Sequence, residues 1–371
     1  MNMKLVSVAL LSASVVALIA LPSAAQSPGG SNGARPMFTY LPPNAPGHKP
    51  PLHPASQLTQ WNGSFTDLTG HHITYTMAGT DPSTNNAPTT IPVVVVPIKM
   101  VYGSRNGNMT FDPNTHTVSN GNTVTANTLA SPLFKTGVDF VAGSVDLGNT
   151  QYIDAYQRGN FWSSVHTNTN YHVLLGSPTV LAEQTITVSR SAGKVITNPF
   201  GRTKVGTMGI NQFDSQLQGI MTRNASTITP GVLPIFLTYN IFLTQNGGCC
   251  IGGYHSANGA QPSGQTYSYA SYVDEAGSFS QDVSALSHEI GEWMDDPFTN
   301  NAVNCTDNSI MENGDPLENR ANYGDYAYTL NGFTYNLQDL VFIGYFGAPR
   351  STSVNSWLDL HNVQTTVCPG Q

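Results

Sequence analysis

Charge is what this sequence has least of. Only 10% of its residues are charged, with 14 Lys and Arg against 22 Asp and Glu and a formal net charge of −8. No basic patch stands out, which argues against nucleic acid as a partner. Beyond the first residues there is no run long and apolar enough to span a bilayer. Internal repeats are absent as well. Cysteine is scarce, with Cys249, Cys250, Cys305 and Cys368 making up the whole complement. In an oxidising compartment they allow two disulfides with three connectivities. Adjacent cysteines rarely bridge, because disulfide geometry does not suit neighbouring Cα atoms. Cys249 and Cys250 are therefore expected to pair separately with Cys305 and Cys368, and thiolate ligation of a metal is the weaker reading.

What is present begins with an export pattern. Lys4 supplies a positive charge, residues 5–21 form a short apolar run, and Ser23-Ala24-Ala25 offers a small-residue cleavage site. The mature chain is thus expected to start at Gln26 in an extracellular or periplasmic setting, with no membrane attachment after cleavage. Residues 26–60, rich in Pro, Gly and Ser, read as a linker or propeptide, although membership of the fold stays open. From Trp61 to residue 371 a single domain is expected. Residues 72–77 alternate as a strand, and 91–101 form a continuous β-branched run typical of a buried one. Shorter strands are expected at 171–175 and 185–188, and a short amphipathic helix at 154–165. Farther on come a helix over 212–221, a strand over 232–243 and a Gly- and Cys-rich turn over 247–253. A strand with exposed tyrosines follows over 266–273.

The next helix carries the chemistry. Ser278 with Gln281 fits a capping box, so the start is expected near Ser278 or Ser280. Pro297 stops it, because proline cannot continue a helix and disfavours helical geometry at Asp296. Val283, Leu286, Ile290, Trp293 and Met294 form one apolar stripe. His288, Glu292, Asp295 and Asp296 lie opposite, with Glu289 at the margin. The plain alternative is a solvated acidic face, and three observations weigh against it. The chain has only six glutamates, so a His followed by Glu at +1 and +4 should arise by composition in well under about one such chain in a hundred. Eight acidic residues and no Lys or Arg fall between Glu289 and Glu318, and such a block needs solvent or a cation. Gly291 sits inside the helix at a cost of about 1 kcal/mol relative to Ala, a sign of close packing.

Residues four apart on a helix point the same way, so His288 and Glu292 can share one divalent ion. Glu289, turned slightly aside, is placed to take a proton from water polarised by that ion and pass it to a leaving amine. The segment LSHEIGEWMDDP resembles the active-site helix of the zincin metallopeptidases, with Glu292 where a second His normally stands. Glu312 follows Glu292 with nineteen residues between them, which resembles the third-ligand spacing of thermolysin-like gluzincins. The pattern His-Glu-x-x-Glu, Asp-Pro, then Glu312-Asn313-Gly314-Asp315 is also similar to secreted phosphate-induced, Exordium-like proteins, as is Gly253-Tyr254-His255-Ser256. The resemblance covers residues 247–318.

It implies an α/β (α+β) zincin-like domain: a mixed twisted sheet, a backing helix near 212–223 and an active-site helix near 279–296, with a β-rich N-terminal part. It further implies a metal held by His288, Glu292 and Glu312, Glu289 as general base, and a peptide or protein substrate. The strand near 266–273 is the expected edge for aligning that substrate by β-pairing. Asp315 is either an alternative or additional ligand or a turn residue. His255 is a further ligand, an oxyanion stabiliser or a structural histidine. Asp296 orients a ligand or closes the helix. Tyr323, Tyr326 and Tyr328 read as ordinary aromatics of a β-rich chain. One His with two Glu leaves a bound Zn²⁺ formally neutral and a weaker Lewis acid, and harder oxygen donors widen the choice to Mn²⁺ or Ca²⁺. A non-catalytic extracellular protein with a structural or degenerate metal site is therefore the rival reading.

Overall fold

The computed structural model describes residues 34–53, 56–66, 70–142, 144–167, 170–302, 310–318, 321–342 and 360. The export pattern, Cys305 and Cys368 lie outside the described residues. The β-branched run at 91–101 becomes the strand Val93–Tyr102, buried along nearly its whole length. Its side chains alternate between two cores, Val93 and Val95 in one, Val94, Val96 and Ile98 in the other. A strand covered on both faces has no need of alternating polarity, which is why this one reads as a continuous apolar run.

It belongs to an eleven-stranded mixed sheet. Across the sheet the order is Thr179–Val180, Val93–Tyr102, Leu233–Tyr239, Gln265–Tyr272, Gly248–Asn258, Ile241–Gln245, Lys204–Gly209 and Val195–Thr197. The first four run parallel. Gly248–Asn258 is antiparallel to both Gln265–Tyr272 and Ile241–Gln245. Helix Ile210–Arg223 covers one face through Phe213, Leu217 and Ile220. Helix Ser284–Asp295 covers the other through Leu286, Ile290, Trp293 and Met294. The protein is thus a mixed α/β fold dominated by one large sheet. No helix among the described residues is long and apolar enough to cross a membrane.

Several sequence expectations need correction. The run at 232–243 is two strands, broken at Asn240, whose backbone is left-handed at φ 50°. Residues 247–253 are mostly the strand Gly248–Asn258, and the actual turn sits at Asn246-Gly247 with φ of 50° and 80°. Gln265–Tyr272 is not a free edge: it lies inside the sheet between Leu233–Tyr239 and Gly248–Asn258, and its tyrosines are buried, so it cannot receive a substrate strand. The 154–165 segment forms helices Tyr152–Asn160 and Trp162–Val165, and the first is buried on every side rather than amphipathic. Its charged groups are satisfied internally: Arg158 donates to the carbonyls of Leu147 and Tyr171, and Asp154 accepts from Val173 N.

Cys249 and Cys250 form a disulfide with each other across a cis peptide bond. The expected separate pairings fail because that bond brings the two Cα atoms to 3.1 Å and both sulfurs together. The N-terminal part is also not merely a linker. Met37–Leu41 runs parallel to Gly248–Asn258, with Thr39 opposite Tyr254 and Tyr40 opposite His255. Farther along, His48 Nε2 lies 3.1 Å from the buried Asp214 carboxylate, which also accepts from Tyr254 and Tyr267. That network ties the segment to both the sheet and helix Ile210–Arg223.

Candidate metal centre

Helix Ser284–Asp295 starts later than the Ser278 capping box suggests. Asp282 has φ 42°, a left-handed backbone that cannot continue into a helix, and its carboxylate accepts from Val283 N and Asn336 N. The helix stops at Asp296, as Pro297 requires, and the Asp296 carboxylate accepts from Asn300 N and Asn301 N. Asp296 therefore closes the turn after the helix. Every residue from Ser284 to Asp295 is buried, which removes the solvated-face alternative. Gly291 is where the helix meets Leu340: a methyl there would fall well inside the contact distance of a Leu340 methyl carbon.

Three elements bring the functional side chains together. The helix supplies His288, Glu289 and Glu292. Strand Gly248–Asn258 supplies His255, which sits one position after Tyr254 and therefore faces the helix while Tyr254 points into the opposite core. The segment 312–318 supplies Glu312, Asp315 and Glu318. Two glycines make room for this convergence. A Cβ at Gly253 would stand 2.7 Å from Cγ and Oε1 of Glu289, and one at Gly314 would stand 2.5 Å from His288 Nδ1. Gly314 N also donates to Glu292 Oε1 at 2.9 Å, fixing that carboxylate.

The other oxygen of Glu292 is the hub. Its Oε2 lies 3.0 Å from His288 Nε2 and 3.8 Å from His255 Nδ1. His255 Nδ1 is 3.2 Å from Glu289 Oε2, and His288 Nε2 is 3.6 Å from Asp315 Oδ1. Donor atoms of His255, Glu292 and Glu312 all fall within 4.8 Å of one another, as do those of His288, Asp315 and Glu318. The expected trio His288, Glu292 and Glu312 is thus distributed over two sets that meet at Glu292. Glu318 and Phe38 were not among the sequence candidates. Phe38 stacks on His288 with ring centroids 4.0 Å apart, and its backbone N–H donates to Glu318 Oε1 at 3.1 Å. The tyrosines at 323, 326 and 328 are buried or half-buried against the core.

Electrostatics sets this cluster apart from an ordinary core. His255, His288, Glu289 and Glu292 are fully buried, and Glu312 is 1% exposed. Among the described residues, the ion pairs at the cluster are all between histidine and carboxylate, with no Lys or Arg. Burial, followed by the neighbouring Glu292 charge, pushes the Glu289 and Glu312 carboxyls well above the usual range. Burial also pushes Glu292 up, but the His288 charge, 3.0 Å from its Oε2, outweighs it and brings the carboxyl down to about 2. Burial lowers His255 to about 4, keeping its imidazole neutral and able to ligate. Both Glu312 oxygens, Glu289 Oε1, Glu292 Oε2 and both His288 nitrogens lack a hydrogen-bond partner. Buried polar atoms are rarely left so. A divalent cation fits this donor set, since it would satisfy neutral imidazoles and ionised carboxylates at once.

Comparison with known proteins adds no identity: no family model, no curated protein and no solved structure matches the chain.

Proposed function

We propose that this chain is an exported, divalent-cation-dependent hydrolase of the zincin type that cleaves peptide or amide bonds. The observation that carries this reading is the convergence of His255, Glu292 and Glu312, with orphaned buried donor atoms and, among the described residues, no cationic side chain paired with them. Zn²⁺ suits the mixture of imidazole and carboxylate donors, and the oxygen-rich set also suits Mn²⁺. Ca²⁺ is less suited, because it prefers oxygen donors throughout. A bound ion would supply Lewis acidity, polarising a substrate carbonyl and lowering the pKa of water. With an ion bound, Glu289 would be held as a carboxylate and would serve as the proton acceptor, through the oxygen that has no partner. His255 Nδ1, 3.2 Å from the other oxygen, orients it. Glu292, Glu312 and His255 would hold the ion, His288 steadies Glu292 from 3.0 Å, and Asn313, held by Asp295, keeps the Glu312 segment against the helix. Export rests on the pattern at residues 1–25.

A second reading is supported by burial. Glu289 and His255 have no exposed surface, as expected of a structural ion in a non-catalytic extracellular protein. Metal analysis of the protein, with a broad peptide-cleavage screen on wild type and Glu289→Gln, separates the two. Chelator-sensitive cleavage that disappears in Glu289→Gln supports the hydrolase. Bound metal with no cleavage, and a melting temperature that falls on chelation, would replace it with the structural reading.

A further inference from the structure

We propose that the cluster takes two divalent cations, one at His255, Glu292 and Glu312 and the other at His288, Asp315 and Glu318, joined through Glu292. This rests on the cation-binding reading above and adds stoichiometry and ligand assignment to it. The two sets share no residue, and each holds one imidazole and two carboxylates within 4.8 Å. Donors around an ion at about 2.1 Å stand about 3.4 Å apart at tetrahedral angles. The His288 Nε2 distances of 3.0 Å to Glu292 Oε2 and 3.6 Å to Asp315 Oδ1 are of that size. Glu292 Oε2 therefore stands at the boundary of both sets, where a bridging carboxylate oxygen belongs.

Charge leads to the same count. Glu289, Glu292, Glu312, Asp315 and Glu318 face two imidazoles, and no Lys or Arg pairs with them among the described residues. Were all five ionised, one divalent ion would leave three negative charges uncompensated; a pair would leave one. Buried charge without a partner is strongly disfavoured, so the second ion removes most of the remaining imbalance. Unpartnered atoms occur in both sets: both Glu312 oxygens in the first, both His288 nitrogens and Asp315 Oδ1 in the second. The sets differ in access. His255, Glu292 and Glu312 are buried, whereas the Asp315 side chain is 28% exposed and Glu318 is half-buried. The second ion should exchange with solvent more readily.

The test loads the full chain with Zn²⁺ or with Mn²⁺, removes free metal and measures what stays bound. Wild type should hold about two equivalents, and the Mn²⁺ form should give the spin-coupled resonance of ions about 3.5–4 Å apart. Asp315→Asn with Glu318→Gln should retain about one equivalent and lose the coupling. Glu318→Gln keeps an acceptor for Phe38 N, and Asp315→Asn alone, on the more exposed side, covers the case in which the double variant misfolds. One equivalent in wild type, unchanged in the variants, would overturn the pair while leaving the cation-binding reading intact. No bound metal under either loading would overturn both.

Discussion

Gly291→Ala tests the packing on which the site depends, because two effects of opposite sign meet at that position. In an exposed helix the change should stabilise by about 1 kcal/mol, since alanine loses less backbone entropy on folding. Here the new methyl would collide with Leu340, which is fully buried and anchored by hydrogen bonds from its backbone N–H to Tyr156 and Asp339. Overpacking a closed core costs about 1–3 kcal/mol, which equals or exceeds the gain. The net expectation is a loss of about 0–2 kcal/mol, obtained as the sum of those two terms. Urea unfolding of wild type, Gly291→Ala, Leu340→Ala and the double variant forms a complete cycle. Leu340→Ala alone should cost about 2–5 kcal/mol by leaving a cavity. The double variant should recover at least about 1 kcal/mol of the additive sum, because the methyl then enters vacated space. A stabilising Gly291→Ala with no coupling to position 340 would refute the close approach of helix and segment 333–342.

Three other outcomes follow from the same geometry. Burial pushes the Asp282 carboxyl up to about 7, against hydrogen bonds from Asn336 and Val283 that favour its charged form. The folded state then holds the extra proton, so this contribution is fully present below about pH 4 and is lost as pH rises through 7; its upper bound is on the order of 4 kcal/mol. Asp282→Asn should flatten the denaturant midpoint between pH 4.5 and 8, and an unchanged slope would count against it. Gly253→Ala should disturb Glu289, whose Cγ lies 2.7 Å from the added carbon; cleavage should fall by more than about tenfold at nearly unchanged metal content, and equal losses of both would contradict the assigned role. Phe38→Ala should remove the ring stacked on His288 and cost about 3–5 kcal/mol. It should also speed metal loss to a chelator, and unchanged release would show that Phe38 is not the cover.

What could be read in the sequence was local. His288, Glu289 and Glu292 announce themselves by helical spacing, Pro297 marks the stop, and Gly291 signals close packing that Leu340 supplies. Strand Val93–Tyr102 was equally plain because β-branched residues on both faces need two cores. What could not be read depends on pairing across long distances. Phe38 and Glu318 meet across 280 positions with no pattern at either end. Residues 247–253 look like a turn because Gly and Cys weaken a strand, yet Gly253 is small to admit Glu289. The tyrosines of Gln265–Tyr272 alternate with small polar residues and so suggest an exposed face, but helices cover both sides and the hydroxyls bond inside: Tyr267 to Asp214, Tyr269 to Thr238 and Tyr272 to Asn127.

The placement of His255 bears most directly on the chemistry. With His288 and two glutamates alone, a bound ion would see one imidazole and two carboxylates and lose its net charge. His255 adds a neutral donor without adding negative charge, but it also lies 3.2 Å from Glu289, the proposed proton acceptor. The same imidazole cannot direct one nitrogen lone pair to an ion and donate a proton from that nitrogen to Glu289. If Nδ1 carries the proton for Glu289, ligation falls to Nε2, which has no partner. If Nδ1 ligates, Glu289 loses its orienting bond and the site is better suited to holding an ion than to hydrolysis. The tautomer of His255 therefore decides between the two functional readings. Nitrogen-15 chemical shifts of the metal-loaded protein would identify it: a protonated Nδ1 is required by the hydrolase, and a metal-bound Nδ1 would leave only the structural ion.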